Sequence, residues 1–187
     1  MTSDQMKDDL AYVANTLRHN ARRSGTPLIY VLWAVAIAVG FAMVDFAPHY
    51  VGVYWMIVAP VGGALSAWIG MRHRRSQGVR NPDEGRRWGM HFLIGALGWI
   101  GAALPLATGR IAPSEGNTAF LLVTGLVYAF AGLHIDRGLL ASGLIALAGY
   151  VVMQFVTVPY AWTTTGLVMA AALLVAAYVS AQPKTRG

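Results

Sequence analysis

Two histidines, His91 and His134, are the side chains whose type and position first suggest chemistry. One opens a long apolar run and the other closes the next. If those runs are neighbouring helices, the two imidazoles sit at similar depth and face each other. A pair of neutral imidazoles ligates haem iron or, with a third donor such as Asp136, a metal ion. The plainer use is as amphipathic residues at a membrane boundary. That use is favoured, because no metal-binding spacing surrounds either histidine. Arg86, Arg87 and Arg137 also crowd the region with positive charge, which disfavours an added cation. Haem or metal binding stays as a second alternative, and no cofactor is expected.

A second polar group gathers at other run ends: Asp45, His49, Tyr150, Gln154 and Thr164, the last flanked by Thr163 and Thr165. Asp45 and His49 are four apart and share a face if their helix continues past Phe46. Together these residues can line a shallow pocket for a weakly polar solute. They can equally serve packing, since Thr bonds its own helix backbone and Gln bonds across helices.

Catalytic signatures are absent. The sequence holds no G-x-S-x-G elbow, H-E-x-x-H pair, P-loop or Asp-rich phosphotransferase motif. It has no cysteine, so thiolate, disulfide and Cys-ligated metal chemistry are excluded. Asp83 and Glu84, in the stretch NPDEG, read as a turn with local charge relief. The expectation is a protein that is not an enzyme.

The elements that must position these residues are set by composition. The chain has 187 residues, 56% hydrophobic and only 12% charged. A soluble domain carries about 25% charged residues, so most of this chain has the bilayer as its solvent. Apolar runs at 28–46, 51–71, 89–107, 118–135, 139–158 and 160–181 each approach the ~20 residues that a helix needs to cross the hydrocarbon. The fold class that follows is an all-α membrane protein, a six-transmembrane-helix bundle over 27–181. Pro60, Gly62 and Gly63 interrupt the second run and suggest a discontinuous helix, a common feature of transport sites. Gly95, Gly98 and Gly101 suit close helix packing. Tyr30, Trp33, Trp55, Trp88 and Trp162 fall near run ends, as in an interfacial aromatic belt.

Before the first run, residues 1–26 read as an amphipathic arm. Met6, Leu10, Val13 and Leu17 form one face, with acidic residues at the start and Arg18, Arg22 and Arg23 at the end. Between the second and third runs lies a basic loop, 72–88, with Arg72, Arg74, Arg75, Arg80, Arg86 and Arg87. Lys and Arg excess stays on the cytoplasmic side during insertion. With the arm, this loop and the tail 182–187 placed inside, all but Arg110 of the 14 basic residues are cytoplasmic. Both termini are then inside, as six spans require. The layout resembles small multi-span bacterial inner-membrane proteins in general plan, which implies the inner (plasma) membrane.

The basic residues have no aromatic interleaving or nucleic-acid module beside them, so nucleic acid is not an expected partner. The reading is a non-enzymatic accessory or signalling subunit that acts through its basic cytoplasmic face. The lipid or partner face comprises Arg22, Arg23, Arg72, Arg74, Arg75, Arg80, Arg86 and Arg87. Expected partners are membrane lipids and a membrane or cytoplasmic protein, or a second copy of the chain. The first alternative is a small oligomeric transporter or channel.

Overall fold

The computed structural model describes residues 26–76 and 82–182, together with Gln5. The amphipathic arm with Arg22 and Arg23, Arg80, and the basic residues of the tail lie outside the described residues. Among those described there is no strand, and six helices are long and apolar enough to span a membrane. They are α1 Pro27–Phe46, α2 Val51–Ser76, α3 Pro82–Ala107, α4 Pro113–His134, α5 Leu140–Phe155 and α6 Ala161–Ala181. The protein is an integral membrane protein with a six-helix bundle.

Helix ends follow local chemistry. Pro27 and Pro113 occupy first-turn positions, where a missing N–H costs nothing. The Ala112 N–H donates to the Glu115 carboxylate at 2.9 Å, so α4 opens at Pro113, ahead of the apolar run that begins at 118. At the other end of α3, Gly109 takes φ +67, the left-handed turn that stops a helix. α5 ends at Phe155, short of the expected 158. Its next residues are the β-branched Val156, Thr157 and Val158, followed by Pro159, which disfavours helix in the residue before it.

Two expectations are corrected. The second run is not broken: α2 is a single helix of 26 residues passing through Pro60. Pro60 faces outward, and Gly62 lets the Trp33 ring of α1 approach to 3.3 Å of where a side chain would begin. Spanning helices tolerate proline in this way. The basic segment 72–88 is also mostly helix. Arg72–Ser76 extends α2, and the stretch 82–88 opens α3, where Pro82 and the acidic pair Asp83–Glu84 suit a first turn.

Among the described residues, helices adjacent in sequence pack together, except α2 and α3, which make no contact. The most extensive packing is between α1 and α6, the first and last spans. The order of neighbours is therefore open: α2, α1, α6, α5, α4, α3. The core belongs to α1, α4, α5 and α6. On α1 it is the stripe Tyr30, Ala34, Ile37 and Phe41; on α6 it is Met169, Ala170, Leu173 and Ala177. Small residues bring the backbones together. Phe41 lies over Gly166, Leu140 against Gly132, and the Ala129 backbone against Gly143. Inside a bilayer such contacts and inter-helix hydrogen bonds, rather than hydrophobic drive, hold helices together.

Candidate functional site

The end of the bundle that carries Asp45 is a clamp between α1 and α6. One Asp45 carboxylate oxygen accepts from the Thr163 N–H at 2.7 Å and from the Thr163 hydroxyl at 2.6 Å. A carboxylate in the first turn of α6 satisfies an amide that has no partner within its helix and meets the positive end of the helix dipole. Phe46 stacks on Tyr160 and Phe41 tilts against Trp162 beside it. α1 stops at Phe46, and Pro48–Tyr50 is a separate 3-10 turn, so Asp45 and His49 do not continue one helix face. Thr164 and Gln154 are exposed and Tyr150 is half-buried. Thr165 bonds back to the Ala161 carbonyl. The structure thus joins Asp45 to Thr163, the neighbour of the residue singled out.

The two histidines are neighbours by helix but not by height. His91 is half-buried, with Nε2 2.9 Å from the Val127 carbonyl of α4. Val127 precedes His134 by seven residues, about two turns or ~10 Å along the axis. His134 is exposed and its ring stacks on Phe130 of its own helix. Among the described residues no three His, Cys, Asp or Glu side chains come together as a metal set.

Asp136 turns away from both histidines. It is buried between α4 and α5 and accepts the Tyr30 hydroxyl of α1 at 2.5 Å, the length of a hydroxyl bonded to a carboxylate. Its other oxygen accepts from the Gly138 N–H at 3.1 Å, which shapes the 3-10 turn Arg137–Leu139. Gly138 in turn sits against the Tyr30 ring, where a side chain would collide. Composition assigned Tyr30 to the aromatic belt. The signal for its real role was weak: an Asp before a tight turn, and a Tyr one turn inside a span, 106 positions apart.

This contact fixes the geometry of the basic end. Tyr30 begins α1, Asp136 links α4 to α5, and the bonds His91–Val127 and Trp33–Ser66 pair the other helices in antiparallel fashion. Arg72, Arg75, Arg86, Arg87 and Arg137 therefore all lie at one end of the bundle, and each is exposed. Arg74 lies on the same helical extension of α2. Trp68 and Arg72, one turn apart on α2, form a cation–π pair with the guanidinium 5.5 Å from the ring centroid. An open recess of about 410 Å³ is lined by this pair with Met71 and Arg75. Another of about 340 Å³ is lined by the same pair with Thr26, Leu28, Ile69 and His73.

Within the spans, polar groups are absorbed by packing. Trp33 Nε1 donates to Ser66, Trp99 Nε1 to Thr124, Tyr54 to the Ala36 carbonyl and Ser142 to the Met169 carbonyl. Among the described residues no buried side-chain polar atom lacks a partner.

The arrangement has a similar known protein. The chain is 24% identical over 98 residues to a UPF0060 membrane protein of Paracidovorax citrulli (strain AAC00-1). The match covers 52% of this chain and 82% of that protein. No known family profile and no solved structure matches the chain. Six apolar helices and this likeness lead to the same conclusion: the chain is an integral membrane protein, similar over half its length to a UPF0060 membrane protein.

Proposed function

We propose that the protein is a non-enzymatic accessory subunit of the inner membrane, with its basic end in the cytoplasm, where it engages a protein partner. One observation carries this reading. Arg72, Arg74, Arg75, Arg86 and Arg87 are mounted on helical extensions of α2 and α3, the least buried spans and the two ends of the open helix order. Helical mounts hold charges in fixed positions, which suits recognition of a complementary surface. Trp33, Trp99 and Ser142 engage their polar groups in helix packing, while Arg72, Arg75, Arg86, Arg87 and Arg137 are exposed together at the basic end.

The test is affinity purification of the full chain from its own host in mild detergent, with native mass spectrometry of the product. The expected result is a second, different polypeptide at fixed ratio, lost when Arg72, Arg75, Arg86 and Arg87 are all replaced by Gln. A product containing only copies of this chain, or a ratio unchanged by the four substitutions, would overturn the reading.

A further inference from the structure

We propose that the paired recess around Trp68 and Arg72 binds one anionic phospholipid. This rests on the membrane placement of the bundle and is independent of whether a protein partner is engaged. Both recesses are lined by Trp68 and by Arg72, whose guanidinium lies over the Trp68 ring. One is walled by the side chain of Met71 and reaches Arg75; the other is walled by Leu28 and Ile69. Two recesses that share one cation match a lipid with two acyl chains and one phosphate.

Depth selects the occupant. Trp68 belongs to the apolar part of α2, while Arg72 lies at its charged end. Whatever fills both grooves has hydrocarbon below and negative charge above, which a soluble anion does not. Among the described residues neither Arg72 nor Arg75 forms an ion pair with an acidic side chain. Their charge is therefore available to a phosphate, and the ring beneath restrains Arg72 before binding, which lowers the ordering cost. Basic residues at a bilayer surface attract anionic lipid in general; the two-groove shape adds a defined stoichiometry of one.

Bromine quenches indole fluorescence on contact, so Trp68 can report the site. The full chain is placed in nanodiscs with increasing fractions of dibromo-phosphatidylglycerol or dibromo-phosphatidylcholine. The signal of Trp68 is taken as the difference from Trp68→Phe. Phosphatidylglycerol should quench it at several-fold lower fraction than phosphatidylcholine. Arg72→Gln with Arg75→Gln should make the two curves coincide, while Arg72→Lys keeps part of the preference. Both arginines are exposed, and far-UV circular dichroism checks that the variants fold. Coincident curves in the unsubstituted protein, or a preference that survives the double substitution, would refute the proposal. If the double variant keeps its lipid preference but loses the co-purified polypeptide, the recess belongs to a protein. The lipid proposal then fails while the accessory reading stands.

Discussion

Replacing Tyr30 with Phe tests the contact that organises the basic end. The ring stays, because Tyr30 is 4% exposed and Phe fills the same space. Only the hydroxyl is lost, and with it one of the two bonds to an Asp136 carboxylate that is itself 6% exposed. A hydrogen bond to a charged group is worth about 1.5–3 kcal/mol in soluble proteins. Inter-helix bonds within bilayers average about 0.6 and reach about 1.7 kcal/mol, because the separated helices find other partners. Asp136 is buried but at the membrane boundary, and keeps its Gly138 bond. The upper bilayer value therefore applies, and Tyr30→Phe should cost about 1.5 kcal/mol. The assay is unfolding by sodium dodecyl sulfate in mixed micelles, followed by circular dichroism. A cycle with Asp136→Ala and the double variant separates this bond from the turn that Asp136 also supports. The expected coupling is about 1 kcal/mol, well above the ~0.3–0.5 kcal/mol scatter of independent sites. Additive losses within that scatter would show that Tyr30 and Asp136 do not act together, and the account of the basic end would fall.

Other outcomes follow from the same packing. Gly166→Ala places a methyl against Phe41 and should destabilise by about 1–3 kcal/mol in the same assay, whereas Gly63→Ala, with open space beside it, should be neutral or slightly stabilising. Asp45→Ala removes the acceptor of the Thr163 amide and should cost about 1–2 kcal/mol, measured by the same unfolding titration. Gln154→Ala and Thr164→Ala alter exposed side chains and should shift stability by less than about 0.5 kcal/mol. The chain has no cysteine, so Arg75→Cys and Glu115→Cys each give a single thiol. A membrane-impermeant maleimide applied to intact cells should label the second and spare the first; the reverse pattern would invert the proposed orientation.

Span positions were legible because hydropathy alone determines which runs can lie in hydrocarbon. Some helix ends could be read from local rules at prolines and glycines, as at Pro27 and Gly109. The continuity of α2 was not legible. Pro60 and the glycine pair look like a break until Trp33 is seen packed over Gly62, a contact between separate helices. The start of α4 was readable in retrospect: Pro113 with Glu115 two positions on is a helix opening. At the candidate sites, residue type indicated the right polar groups but not their partners. Asp45 was noted with His49 and in fact holds Thr163; Asp136 was noted with His134 and in fact holds Tyr30. Both true partners come from distant helices, and a partner in three dimensions leaves no periodicity in one chain.

The open helix order has a consequence for how the molecule is made. The broadest contact joins the earliest and the latest of the six spans to enter the bilayer, while 77–81 links two helices that do not touch among the described residues. The Phe41 face of α1 gains its Gly166 partner only once α6 has been made. Assembly is thus gated by its last span, and such distant pairing is slow to form. A cut in the 77–81 link, by contrast, severs no helix pair. Among the described residues, the two pieces, one with α1 and α2 and the other with α3 to α6, keep every helix pair of the bundle, so a divided chain can reassemble through the α1–α6 face.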